Sequence, residues 1–88
     1  MKARQPRITL FTTSECNHCR QLKQWLKQHR IHFRELNLQR SARAMREFRH
    51  HGGRGLPLLL VGERAIRGFD PKRLTRELRK AGIDLPGL

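Results

Sequence analysis

Cys16 and Cys19 stand two residues apart, and they are the chain's only two cysteines. A Cys-x-x-Cys pair can cycle between dithiol and disulfide, hold a metal, or lie inert in a core. The flanking residues weigh these uses. "ITLFTTSE" runs into Cys16, an apolar β-branched stretch closed by a polar break. Leu22, Trp25, Leu26 and His29 follow at i, i+3, i+4 and i+7, the spacing of one helix face. Cys16 therefore falls at a strand-to-helix turn and Cys19 one turn into the helix. Unpaired backbone N–H groups and the positive dipole end favour thiolate over thiol at Cys16. The thiolate is the species that attacks a disulfide. Cys16 is thus the expected nucleophile. Cys19 is the expected resolving thiol, and Cys16–Cys19 the redox-active disulfide. His18 and Arg20, where charged, would stabilise a thiolate further and make the disulfide more oxidising.

A metal site competes for the same residues. Cys16, Cys19, His29 and His32 read Cys-x2-Cys-x9-His-x2-His. Zinc fingers use about 12 residues between the pairs and about 3–5 between the histidines, so both gaps are short. His29 also lies on the apolar face of the helix and His32 opens a strand, so closing a tetrahedron would break the helix. No metal is expected, although a cluster bridged between chains through Cys16 is not addressed by spacing.

The rest of the chain reads as the frame for this turn. Arg7 to Thr12 is a mostly buried first strand. Ile31 to Leu38 is a second, with its alternation slipping at Glu35 and Leu36. Ser41 caps a second helix whose inner face is Ala42, Met45 and Phe48, with Arg43, Arg46 and Arg49 outside. "LPLLLV", opened by Pro57, is a third strand. Gly62-Glu63 turns into a short fourth strand, Arg64 to Arg67. Asp70-Pro71 starts a third helix, which buries Leu74, Leu78 and Ala81 and stops at Gly82. The expected fold is α/β, with order β-α-β-α-β-β-α: a parallel βαβ start, an antiparallel hairpin, and a four-stranded mixed sheet with helices on both faces.

Bulk properties set bounds. At 88 residues one domain spanning 1–88 is expected, with residues 1–6 frayed. A disulfide across two intervening residues removes little unfolded-state entropy, so stability is a poor reason for the pair. No segment reaches the roughly 18 apolar residues of a membrane span. "MKARQPRITLF" lacks the apolar core and cleavage site of a signal peptide, so a cytoplasmic, reducing setting is expected. Net charge is +13, from 20 Lys and Arg against 7 Asp and Glu. The basic residues form no block, and the four Phe do not interleave with them. Nucleic acid is therefore disfavoured as a partner, and the charge reads as a basic solvated surface.

These residues carry a family resemblance. "CNHC" after "ITLFTTSE", "GLP" at Gly55 to Pro57, and "GFDPKRL" at Gly68 to Leu74 resemble the glutaredoxin branch of the thioredoxin superfamily, from about Ile8 to Ile83. The resemblance implies a thioredoxin fold, a monomer, and a cis Leu56–Pro57 bond that frees the Leu56 backbone to pair with an extended substrate. It also implies a groove of Thr13, Leu56, Pro57, Gly68, Phe69 and Asp70, a disulfide-containing protein as substrate, and no tightly bound cofactor. The chain departs from glutaredoxins in carrying Asn17-His18 instead of Pro-Tyr between the cysteines. It also has Thr13 where glutathione-using members tend to place Lys or Arg. Gly68-Phe69-Asp70-Pro71 is similar to the NrdH-redoxins, small donors to ribonucleotide reductase recycled by thioredoxin reductase. Two electron sources thus remain, glutathione as co-substrate or thioredoxin reductase. Arg54, Arg67 and the start of the third helix offer a glutathione carboxylate a site.

The expected activity is that of a dithiol thiol–disulfide oxidoreductase. Two rivals from other classes are a non-catalytic basic adaptor for an acidic partner and a metal or iron–sulfur carrier through Cys16.

Overall fold

The fold is known from a computed structural model that describes residues 6–85. The expected fraying concerns residues that, Pro6 apart, lie outside that range. Seven elements alternate as expected: β1 (Ile8–Thr12), α1 (Asn17–Gln28), β2 (Arg34–Asn37), α2 (Ala42–His50), β3 (Leu58–Val61), β4 (Arg64–Arg67) and α3 (Pro71–Lys80). The strands form one sheet in the order β2-β1-β3-β4, with β1 and β2 parallel and the other pairs antiparallel.

Strand alternation sorts the apolar side chains into two layers. Ile8 and Leu10 of β1, Leu59 and Val61 of β3, and Ile66 of β4 pack with Leu22, Trp25 and Leu26 of α1 and Leu74 and Leu78 of α3. The intervening residues Phe11, Leu58 and Leu60 pack on Phe48 of α2. All residues of β1 and β3 are therefore buried. The Phe11 and Phe48 rings meet edge to face, centroids 5.6 Å apart. Such pairs contribute about 0.5–1.5 kcal/mol beyond area burial.

Each helix opens on a capping side chain, Ser41 and Asp70 as expected and Cys16 for α1. Each closes by the same paired backbone bonds, a Schellman motif. Gly52 (φ 73°) and Gly82 (φ 86°) take the left-handed position after α2 and α3. After α1 that position falls to Arg30, at φ 57°. The Ile31 N–H then reaches back to the Leu26 carbonyl at 2.9 Å.

That closure corrects the second strand. Ile31 belongs to the end of α1, so β2 is only Arg34–Asn37 and not Ile31 to Leu38. The apparent slip at Glu35–Leu36 is a change of face. Ile31 and Phe33 join the α1 layer, whereas Leu36 and Leu38 join the α2 layer. Glu35 shares the α1 side with Ile31 and Phe33 as its polar member. The inner face of α2 is also corrected: Ala44 is buried and Ala42 exposed, while Phe48 is buried and Met45 packs beside it. Ala81 is half-buried and caps α3.

Candidate active site

The register brings the chemistry to one end of the sheet. Thr12 pairs with Asn37, Phe11 with Leu58, and Leu58 with Arg67. The chain leaves β1 there into Thr13–Cys16, enters β3 there from Pro57, and leaves β4 there into Gly68. Pro57 is buried behind a cis Leu56–Pro57 bond, and its carbonyl accepts the Gly68 N–H at 3.0 Å. Gly68 has φ 80°, a conformation open to glycine at little cost.

Cys16 is the N-cap of α1. Its Sγ accepts the Cys19 N–H at 3.1 Å, and its carbonyl accepts the Arg20 N–H at 3.2 Å. The sulfur thus takes an orphan donor of the first turn, the place a serine or aspartate oxygen would hold. Cys16 is half-exposed and Cys19 is buried at 2 % exposure, both with free thiols. The Cys19 thiol points back toward the Phe11 carbonyl, 4.0 Å away. Burial, first, and the side-chain hydrogen bond with Cys16, second, push Cys19 up to about 12. Charge on Cys16 and on Glu35 adds to the rise, and a backbone hydrogen bond from Thr13 opposes it. The two thiols therefore differ in kind: one is presented at a helix end, the other is held protonated beneath it.

The other expected site residues fall as follows. His18 is exposed, and its side chain makes no hydrogen bond among the described residues. The Arg20 guanidinium bonds the Ser14 carbonyl at 3.2 Å and the Asn17 side-chain oxygen, so it braces the turn holding Cys16. The Thr13 carbonyl accepts the Cys16 N–H at 3.5 Å. Leu56 and Phe69 are half-buried, packed respectively on the α2 layer and on the α1–α3 layer. Asp70 caps α3, its Oδ1 accepting from the Lys72 and Arg73 N–H groups at 3.2 and 3.4 Å.

One group was missed in the sequence. Glu35 accepts the Thr12 hydroxyl at 2.9 Å and pairs with Lys23 Nζ at 3.2 Å. With Cys19 these three line a cleft of about 560 Å³ on the β2 side of the thiols. The break in alternation at Glu35 was its signal. Among the described residues no three His, Cys, Asp or Glu side chains converge as a metal site requires, and no helix is long and apolar enough to cross a membrane.

The glutaredoxin family profile matches residues 8–66. The chain belongs to the glutaredoxin family. Within that family it is similar to the glutaredoxin-like protein NrdH of Escherichia coli K12, 30% identical over 70 residues that cover 80% of this chain and 86% of the relative. It is 28% identical over 69 residues to the NrdH of Lactococcus lactis subsp. cremoris, covering 78% and 96% of the two chains. The solved structure of the Escherichia coli NrdH-redoxin superposes with a TM-score of 0.71 at 30% identity, over 80% of this chain and 92% of the other. The thioredoxin-like protein BC3987 shares the fold, with a TM-score of 0.73 at 21% identity, covering 80% and 97%. This glutaredoxin-family chain therefore has the thioredoxin fold and is a thiol–disulfide redox protein.

Proposed function

We propose that the chain is a dithiol oxidoreductase of the NrdH-redoxin type. The observation that carries the reading is the asymmetry of the pair: Cys16 half-exposed at the helix N-cap, Cys19 buried one turn on. The Cys16 thiolate attacks one sulfur of a substrate disulfide, and the other substrate sulfur leaves as a thiolate and takes up a proton. Cys19 then gives up its proton and attacks Cys16 Sγ. This closes the Cys16–Cys19 disulfide and releases the second substrate thiol. Two electrons and two protons pass to the substrate. Thr13, Leu56, Pro57, Gly68 and Phe69 form the groove for the extended segment carrying the disulfide, with Leu56 offering its backbone. Asn17, His18 and Arg20 shape the turn that presents Cys16.

For the return of electrons, a thioredoxin reductase is favoured over glutathione. The Asp70 carboxylate already occupies the N–H groups of α3 that a glutathione carboxylate would need. The Escherichia coli relative is described as having a thioredoxin-like activity profile. By the same resemblance, ribonucleotide reductase is the proposed protein substrate. The test is NADPH consumption by the oxidised protein in two parallel systems, one with glutathione and its reductase, the other with thioredoxin reductase. Consumption in the second alone is expected. Consumption in the first alone would overturn the choice of electron source.

A further inference from the structure

One part of the basic charge forms an ordered row on α2. Arg43, Arg46 and Arg49 recur every three residues along α2 and share its outer face. All three are exposed, and among the described residues none of their guanidinium groups makes a hydrogen bond or an ion pair. Glu47, the one acid of α2, pairs with Arg34 at 4.0 Å, while Glu35 pairs with Lys23 and Glu77 with Arg64 and Lys80. Like charges along one helix face work against the helix, so folding alone does not account for the row.

The placement of α2 ties the row to the thiols. The helix begins at Ser41, which lines the same cleft as Cys19. Just past its other end, the Gly52 carbonyl accepts a hydrogen bond from the Arg67 guanidinium at 3.0 Å. The helix therefore crosses the sheet from β2 to β4 at the end where Thr13–Cys16 and Pro57 emerge, with Phe48 beneath it against Phe11. A protein whose disulfide sits at Cys16 lies beside this row.

We propose that the Arg43–Arg46–Arg49 face of α2 is an electrostatic docking surface for an acidic patch that flanks the reacting disulfide of a protein partner. The inference deepens the redox reading and rests on it for the position of the partner. A polynucleotide fits less well. Phe48, the one Phe, Tyr or Trp of α2, is 7 % exposed beneath the helix, and the exposed His50 ring beside Arg49 already packs edge-on against His51, with centroids 5.1 Å apart.

The test separates docking from chemistry. Full-length protein with Cys16→Ser and Cys19→Ser is titrated against two fluorescent disulfide-bridged peptides, one with glutamates flanking the disulfide, the other with lysines at the same positions. The glutamate peptide is expected to bind at least about tenfold tighter at low salt and to lose that margin as salt rises. Adding Arg43→Gln, Arg46→Gln and Arg49→Gln should abolish the margin, and lysines at those positions should keep it. A margin that survives the glutamines, or no margin in the parent, overturns the proposal. So does single-stranded DNA binding tighter than the glutamate peptide. Should the glutamine variant fail to fold by circular dichroism, the parent's salt dependence and the lysine variant decide. Failure of the redox reading shows separately, as wild-type protein reducing neither peptide.

Discussion

The Cys19 backbone N–H donates to Cys16 Sγ across 3.1 Å, so the proposed nucleophile also caps its own helix. The two duties separate by substitution. Serine at position 16 keeps an oxygen for the cap, whereas alanine leaves the donor unmet. Cys16→Ser is expected to lose disulfide reduction while melting close to the wild type. Cys16→Ala should lose the same activity and about 1 kcal/mol of stability besides. Thermal melts beside a turnover assay check both, and equal melting of the two variants would remove the capping role.

Cys19 titrates far from the ordinary thiol. Pushed up from 9.0 to about 12, it holds below pH 9 about a thousandth of the thiolate of an ordinary cysteine. Iodoacetamide near neutral pH is therefore expected to label Cys16 and to spare Cys19 in the folded protein, as peptide mapping would read. The native pKa lies above the unfolded one, so the native state holds the proton more tightly. The stability linked to this proton is full below pH 9 and is lost as pH rises from 9 toward about 12. Cys19→Ser should flatten that part of the stability curve. Glu35→Gln, which removes a charge opposing ionisation, should lower the Cys19 pKa.

Gly53 ends α2 against the ring that anchors it. A Cβ there would stand 2.4 Å from Phe48 Cε1, inside any tolerable contact. The ring is held in turn by Phe11, so it has little room to yield. Gly53→Ala is expected to destabilise the fold by about 1–3 kcal/mol, measured by urea unfolding. Gly55→Ala, where an added Cβ meets nothing within 4 Å, is the matched control.

Arg30 marks the opposite case, a left-handed position held by a residue with a Cβ. Its φ of 57° lets the Ile31 N–H close α1 on the Leu26 carbonyl. Arg30→Gly should keep that closure and relieve the Cβ cost, raising stability by about 1 kcal/mol in the same unfolding assay. A loss of stability would assign the arginine side chain a role of its own.

The same position explains where the sequence misled. Helices two and three announce their ends with Gly52 and Gly82, but nothing marks Arg30 as a helix stop. Ile31 therefore read as the first residue of a strand. The opposite faces taken by Phe33 and Leu36 made a regular edge strand look irregular, and Glu35 at the break was not read as part of the site. What was legible rested on local physics: the caps at Ser41 and Asp70, the helix start near Cys16, the apolar spacing of α1, and the runs of β1 and β3, buried on both faces. The cleft behind Cys19 was not legible, because it needs Lys23, Thr12 and Glu35 from three elements whose approach only the register determines.

In the proposed cycle Cys16 attacks and Cys19 resolves. It is tested most directly by mixing Cys19→Ser and Cys16→Ser separately with a disulfide substrate and mapping covalent adducts by mass spectrometry. A stable mixed disulfide on Cys16 is expected in the first variant and no adduct in the second. An adduct on Cys19, or sustained turnover by Cys16→Ser, would contradict it.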